Sequence, residues 1–291
     1  MRAKKIIMQK KINHILAGRE KQITPTEKVR QPLPHAEFRF ANPFIVLHHM
    51  GPEAIPPGGE LRIHPHPHRG FSPVTFQLQG EGYHKDNAGH DGTLHAGDVQ
   101  WMFAGKGILH SEGPTKDLLA KGGTQELIQL WINAPAPRKA DPPSYQYAPA
   151  ASLPHVLEQE GVRLRLASGG YDGQTGPLNS FTPVVLIEGT IAKGRRVQFT
   201  ATPGFWTLLY ITHGRVMINC ESIDSYHLIV FEKENDEIIV TAEEDTRLLY
   251  LSAKPIDEPV AAKDNFVMNT QQEIEQALDD ARNGRFGTLE Y

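Results

Sequence analysis

Short stretches of apolar residues, or of alternating apolar and polar residues, fill the chain from Phe38 to Ile132. Segments rich in Gly, Pro and Asn, such as Asn87–Gly92 and Gly105–Gly107, separate them, and helical periodicity is nearly absent. Short strands punctuated this often favour an antiparallel sandwich or barrel. The predicted strands of this half are Phe44–Leu47, Val74–Leu78, Val99–Phe103 and Leu127–Ile132.

A Pro-rich passage, Ala134–Pro154, interrupts this pattern as a linker or surface crossover does. The strand pattern then resumes, so we predict an all-β protein of two antiparallel β-barrel or sandwich domains, residues 1–140 and 150–291. The predicted strands of the second half are Val184–Glu188, Arg195–Thr200, Trp206–Ile211, Val216–Asn219, His227–Phe231, Ile238–Thr241 and Arg247–Leu251.

The clearest helix closes the chain. Thr270 and Glu273 have the spacing of a capping box, and Asn283-Gly284 supplies a stop signal. The apolar residues between them recur at helical spacing and share one face. These residues are Ile274, Ala277, Leu278 and Ala281.

The composition fits this fold class. The chain has 291 residues, 39% hydrophobic and 22% charged, which is typical of a soluble globular protein with room for two domains. No apolar run is long enough to cross a bilayer, and the N-terminus lacks the pattern of a secretory signal. We therefore expect a cytoplasmic protein with no membrane partner.

Charge is segregated along the chain. Residues 1–30 hold nine Lys or Arg against Glu20 and Glu27, which gives +7 there and −11 in the remainder of a chain whose net charge is −4. Apolar residues interrupt this basic lead segment, so it resembles a first strand, and direct binding of nucleic acid is not expected. The single cysteine, Cys220, lies in strand-like sequence and is predicted to be a packed thiol.

Three histidines alternate with prolines in the run His64-Pro65-His66-Pro67-His68. In an extended chain the imidazoles project to one side, because strand side chains have a period of two. Proline cannot donate to a central ladder, so this segment is predicted to lie at a sheet edge or a barrel mouth, open to solvent.

About forty residues later, His110 and Glu112 repeat the same spacing after a glycine-rich approach. Decoration of a surface hairpin is the simpler interpretation of either pair alone, but two such pairs in β-rich sequence favour a metal site. Imidazole and carboxylate ligands suit Fe, Mn, Co, Ni, Cu or Zn, and four protein ligands leave two positions of an octahedral ion open.

Six segments carry a resemblance to a known family: His66–Phe71 (HPHRGF), Gly97–Met102 (GDVQWM), Ala104–Glu112 (AGKGILHSE), Gln129–Asn133 (QLWIN), Phe266–Thr270 (FVMNT) and Gly284–Gly287 (GRFG). Together they closely resemble the pirins, over most of the chain beyond the first thirty residues. The resemblance implies a bicupin fold with Fe²⁺ in the N-terminal domain. The C-terminal cupin domain would be metal-free.

The four ligands that the resemblance implies fall on His66, His68, His110 and Glu112. Two positions depart from the family pattern. Ser72 stands where pirins commonly have Glu, a change that spares the metal but bears on activity. His64 adds a third histidine upstream and is an alternative to His66 as a ligand, although the sequence that follows favours His66.

The resemblance also implies a function. Bacterial pirins suggest a quercetin 2,3-dioxygenase, in which a small aromatic or enolisable substrate and dioxygen meet at the metal, carbon monoxide is lost, and Glu112 is both ligand and catalytic base. Eukaryotic pirins suggest the alternative, an iron-dependent redox sensor that binds a transcription factor or a metabolic enzyme. A zinc cupin such as a sugar-phosphate isomerase is a third class.

Other side chains carry weaker signals. Solvated or structural roles explain five further histidines, His48, His49, His84, His90 and His95. Large apolar side chains of strands belong more often to the core than to a substrate cavity. Those in question are Trp101, Met102, Phe103 and Trp131.

Overall fold

The computed structural model describes residues 9–23, 28–59 and 63–290, and in these ranges the chain forms twenty-six strands and two α-helices. The strand pairs of its sheets are antiparallel, so the all-β prediction is confirmed. The first twelve strands are β1 (Ile12–Ala17), β2 (Arg19–Gln22), β3 (Lys28–Leu33), β4 (Phe44–Ile55), β5 (Ile63–His68), β6 (Phe71–Gln79), β7 (Gly82–Asp86), β8 (Asp91–Leu94), β9 (Val99–Phe103), β10 (Ile108–Pro114), β11 (Gly123–Asn133) and β12 (Ser144–Ala148).

Of the remaining fourteen strands, seven match the stretches predicted in the second half to within a few residues. The fourteen strands are β13 (His155–Gln159), β14 (Val162–Ser168), β15 (Gly170–Tyr171), β16 (Gln174–Thr175), β17 (Val184–Ile191), β18 (Arg196–Thr200), β19 (Trp206–His213), β20 (Arg215–Ile218), β21 (Glu221–Asp224), β22 (His227–Phe231), β23 (Glu237–Ala242), β24 (Thr246–Ala253), β25 (Ala261–Lys263) and β26 (Phe266–Met268). The helices are α1 (Lys116–Lys121) and α2 (Gln271–Arg282).

The chain separates into two compact units. The first unit comprises Arg19–Pro34, Arg39–Ser152 and Ile256–Tyr291, and the second comprises Met1–Gly18, His35–Phe38 and Leu153–Pro255. The chain therefore passes from one unit to the other inside the Pro-rich passage, after β12 has paired with β9. The ends of the chain depart from the contiguous domains predicted from the sequence, since each end joins the unit formed mainly by the opposite half.

The first unit contains two open sheets and a short hairpin. The strand order is β12-β9-β6-β11-β4-β3-β2 in the seven-stranded sheet and β5-β10-β7-β8 in the four-stranded sheet, while β25 pairs with β26. Strand β6 is buried along nearly its whole length, including its polar residues Ser72, Thr75 and Gln77. The four-stranded sheet carries the histidines of the predicted metal site.

The second unit repeats this plan, with a seven-stranded sheet, β1-β22-β19-β24-β17-β14-β13, and a four-stranded sheet, β18-β23-β20-β21. Buried and more exposed residues alternate along β18 and β23, as period-two sequence predicts. Strand β1 pairs with β22 at the edge of the larger sheet, so this part of the basic lead segment is a strand, as one interpretation of the sequence predicted.

The terminal helix is confirmed. The capping box of Thr270 and Glu273 is present, and Ile274 and Ala277 are buried against β26 and Phe286. This contact, within the first unit, explains why the C-terminal segment leaves the second half of the chain. Helix α1 was not predicted, because six residues are too few to display helical periodicity.

The prediction of a packed thiol at Cys220 is wrong, because this residue is exposed in the turn between β20 and β21. Asn219 and Cys220 both have positive φ, which breaks the strand that the apolar sequence suggested. Among the described residues, no helix has the length and apolar character that a membrane span requires.

A buried lysine ties the C-terminal segment to the rest of the first unit. Only 4% of Lys139 is exposed, and its Nζ donates to Gly70 O at 2.8 Å, Asn133 Oδ1 at 2.6 Å and Val267 O at 2.6 Å. Burial lowers the pKa of Lys139 to about 7, although Glu258 and Glu273 oppose the shift. The three acceptors match the three donors of an ammonium group.

Replacing this lysine is expected to destabilise the protein. Lys139→Met leaves three acceptors without their donor and is predicted to lower the free energy of unfolding by about 3 kcal/mol at neutral pH. Chemical denaturation measures this loss, with the exposed Lys116 changed to Met as the matched control. An equal effect of the two substitutions would contradict the role of the three hydrogen bonds.

The same comparison has a predicted pH dependence. The folded chain releases the Lys139 proton near pH 7, whereas the unfolded chain keeps it up to about pH 10. The unfolded state therefore binds more protons in this window, and the unfolding free energy of the wild type should rise with pH relative to Lys139→Met. A difference that stays constant from pH 7 to about pH 10 would contradict the lowered pKa.

Candidate metal centre

Strand β5 carries the alternating histidines at the edge of the four-stranded sheet, with β10 as its neighbour. This edge position was predicted from the two prolines, which lack the N–H groups of a central ladder. The antiparallel register places His66 opposite His110 and His68 opposite Ile108. Two distant sequence motifs therefore meet on adjacent strands.

Three histidines form a compact triad. The ligand nitrogens of His66, His68 and His110 all lie within 4.8 Å of one another. The ring centroids are 4.3 to 4.9 Å apart, His68 and His110 are each only 1% exposed, and His66 is half-buried. Across the described ranges this is the one group of three or more potential ligand side chains with such spacing.

Backbone carbonyls orient two of the three rings. His66 Nδ1 lies 2.9 Å from His64 O, and His68 Nδ1 lies 3.3 Å from Asn265 O. A carbonyl oxygen only accepts hydrogen bonds, so each Nδ1 carries the hydrogen and each Nε2 has a free lone pair. This arrangement is usual for histidines that bind a metal through Nε2.

The remaining ring nitrogens fit a bound cation. His68 Nε2 and both ring nitrogens of His110 are buried and have no hydrogen-bond partner among the residues that the structure describes. Buried polar atoms without partners are rare and call for an explanation, which a transition-metal ion held by the triad supplies. Burial lowers the pKa of His68 and His110 well below the ordinary value, and the neighbouring His66 adds to the shift. Both rings are therefore neutral at pH 7, the form that ligates.

Glu112, the fourth predicted ligand, is not part of this compact group. A register irregularity follows His110, so Glu112 pairs with Ile63 and not with a histidine of β5. Its side chain lines a separate cavity of about 30 Å³. Glu112 Oε1 accepts a 2.6 Å hydrogen bond from Gln129 Nε2.

Trp131 fixes the orientation of Gln129. The indole Nε1 donates to Gln129 Oε1 at 3.1 Å. Because an indole N–H can only donate, the amide oxygen of Gln129 must face Trp131 and the amide nitrogen must face Glu112. Gln129 was noted in the sequence only as part of a family segment, since a strand glutamine gives no signal of its partners.

A cleft of about 1230 Å³ opens beside the triad. Its charged side chains are of both signs, and its inner wall combines polar and aromatic groups. Its lining includes the triad residues His66 and His68 together with His48, Gln129 and Trp131. Trp131 therefore faces the cleft, whereas Trp101, Met102 and Phe103 are buried and do not line it, as the interpretation of these three as core predicted.

The other candidate residues, His64, Ser72 and His48, lie in three different environments. The His64 side chain is exposed and lies outside the triad, while its carbonyl orients His66. Ser72 is buried in β6 beside Phe71, whose ring packs 5.1 Å from that of His68. Burial, followed by nearby Lys21, lowers the pKa of His48 to about 4, so this cleft residue is neutral.

The hairpin histidines are not alike. His95 is exposed, but His84 is fully buried and bonded to Asp86, which also accepts from His90. Of the two roles left open by the sequence, solvated or structural, His84 therefore has the structural one. Its burial depends on strand pairing with β10, which sequence alone does not display.

Comparison with protein families identifies both halves of the chain. The model described as Pirin matches residues 24–132, and the model described as the Pirin C-terminal cupin domain matches residues 186–287. The two-cupin fold predicted from the sequence is therefore confirmed, with open sheets in place of closed barrels.

Individual relatives agree with this family assignment. A protein of Pseudomonas aeruginosa named "Putative quercetin 2,3-dioxygenase" is 35% identical over 84% of this chain and 86% of its own length. Pirin-1 of Arabidopsis thaliana is 36% identical over 76% of this chain and 77% of its own length. The crystal structure of a quercetin 2,3-dioxygenase from Acinetobacter baumannii superposes with a TM-score of 0.91 at 33% identity, covering 97% of this chain and 100% of the other.

Removing a triad imidazole is expected to abolish metal binding. His68→Ala and His110→Ala should each reduce affinity by more than the roughly 10- to 100-fold that is lost with an outer-shell partner. Metal content after dialysis, measured by mass spectrometry, checks this. The control is His64→Ala, which should keep the metal. Loss of metal in the control, or its retention in His110→Ala, would place the site elsewhere.

Proposed function

The chain belongs to the pirin family, and from this membership we propose that it is a metal-dependent dioxygenase that cleaves a flavonol such as quercetin. The named relatives support the reaction class, and the substrate and the metal are our proposal. We propose Fe²⁺ as the cofactor and a cytoplasmic location, as the sequence suggested.

The observation that carries the proposal is the position of the triad at a large cleft. His66 and His68 line a cleft of about 1230 Å³, and their Nε2 atoms have no hydrogen bonds to the described residues. Pockets for small organic ligands are roughly 300 to 1000 Å³, so a flat aromatic substrate fits with room to spare. Trp131 offers an aromatic surface beside the imidazoles.

His66, His68 and His110 would hold the metal, with Glu112 as the proposed fourth ligand. When bound, ferrous iron supplies a Lewis-acid centre for an enolate and one-electron chemistry for dioxygen. His48 is neutral, so it brings no buried positive charge to the cleft.

We propose Glu112 as the base that accepts the proton of the substrate hydroxyl. Gln129 donates to Oε1, while Oε2 accepts no hydrogen bond from any described residue. Gln129 lines the cleft and Glu112 lies directly behind it. Proton transfer from a substrate in the cleft to Glu112 therefore requires either that the Gln129 side chain moves aside or that a water molecule relays the proton.

The oxygen consumption of the ferrous-loaded protein tests the activity. Quercetin is mixed with the protein without air, air-saturated buffer is then admitted, and an oxygen electrode follows uptake. We expect uptake in proportion to the flavonol and none with His110→Ala. A protein that holds iron and consumes no oxygen would contradict the quercetinase proposal and favour the redox-sensor hypothesis, in which a partner protein distinguishes ferrous from ferric forms.

The catalytic role of Glu112 has its own test. Glu112→Gln keeps the size of the side chain but removes the base, so turnover should fall by roughly 10²- to 10⁴-fold. The exposed Glu158 of the second unit, changed to Gln, is the matched control. Full turnover by an iron-loaded Glu112→Gln variant would exclude the role as base.

A further inference from the structure

Two buried polar side chains lie on the side of His110 that faces away from His66 and His68. Strand β10 runs between β5 and β7, so His110 is opposite His66 on one side and Asp86 on the other. His84 of β7 is fully buried and Asp86 is only 3% exposed. The His84 ring centroid is 5.4 Å from that of His110.

Asp86 determines which nitrogen of His84 carries the hydrogen. Asp86 Oδ1 accepts from the backbone N–H groups of Ala88 at 2.9 Å and His90 at 3.0 Å. Burial opposes ionisation, but hydrogen bonds from His84 and His90 lower the pKa of Asp86 to about 2. The carboxylate accepts from His84 Nε2 at 3.0 Å, so Nδ1 of a neutral His84 ring is an acceptor.

That acceptor has no hydrogen-bond partner in the described part of the chain. His84 Nδ1 is buried without a hydrogen bond, and the same is true of both ring nitrogens of His110. A metal ion would occupy one nitrogen of His110, and the other would carry a hydrogen that needs an acceptor. The histidines that interact electrostatically with His110 are His66, His68 and His84, and the first two belong to the triad.

We propose that His84, held by Asp86, is a positioning residue that accepts the hydrogen of the His110 nitrogen not used by the metal, directly or through one buried water. The chain Asp86–His84–His110 then fixes the tautomer of His110 and increases its basicity. A buried water with two or more polar partners is a regular part of protein interiors. The inference rests on metal binding by the triad and is independent of the substrate.

Packing alone is the competing explanation. The rings of His84 and His90 both stack on Tyr145, with centroids 4.7 and 5.2 Å away and interplanar angles of 22° and 23°. If this stacking were the whole role of His84, a phenyl ring would replace it. The two explanations differ in the affinity and electronic state of the bound metal, and not in the fold.

The experiment uses Co²⁺ as the probe and the full chain without substrate. Spectroscopic titration gives the dissociation constant for the wild type, His84→Phe and Asp86→Asn, with the exposed His95 changed to Phe as the control. Positioning predicts a 10- to 100-fold loss of affinity in both variants and an unchanged control. Equal affinity of wild type and a folded His84→Phe overturns the proposal.

A second measurement, on a different variant, tests the proposal if His84→Phe folds poorly. Asp86→Asn is nearly isosteric, and the Fe³⁺/Fe²⁺ potential of this variant should rise, because a less basic His110 stabilises ferric iron less. An unchanged potential together with unchanged Co²⁺ affinity in Asp86→Asn overturns the proposal. A protein that binds Co²⁺ with these effects but does not oxidise quercetin would contradict the proposed function alone.

Discussion

The antiparallel pairing of β10 with β5 and β7 is the constraint on which the site depends. Strand β10 lies between the other two, so His110 faces His66 on one neighbour and Asp86 on the other. A slip of one residue in either pairing would turn the facing side chains to the opposite side of the sheet. The register therefore positions both the triad and the polar groups behind it.

The C-terminal segment extends this constraint to the end of the chain. His68 is oriented by Asn265 O. Two residues further along each of these segments, Gly70 O and Val267 O both accept hydrogen bonds from Lys139 Nζ. A Cβ atom on Gly70, whose φ is +86°, would lie only 2.1 Å from Val267 O, so the two backbones approach as closely as glycine allows. The site is thus complete only when the segment from the far end of the chain has docked in the first unit.

The sequence predicted part of the strand set, the terminal helix and the three histidines because each of these leaves a local pattern. It did not predict the burial of His84, the contact of Gln129 with Glu112 or the exposure of Cys220. The first two depend on strand register, and the third depends on a turn with positive φ, none of which periodicity displays. The sequence also did not predict that each end of the chain joins the unit formed mainly by the opposite half, because this arrangement arises from contacts between residues more than a hundred positions apart.

Anomalous diffraction from crystals loaded with a single transition metal tests the central claim most directly. We predict one strong peak within about 2.1 Å of ring nitrogens of His66, His68 and His110, the usual length of a metal–imidazole bond. The same map reports whether a carboxylate oxygen of Glu112 completes the ligand set. A peak in the second unit, or a metal-containing crystal without a peak at the triad, would contradict the account.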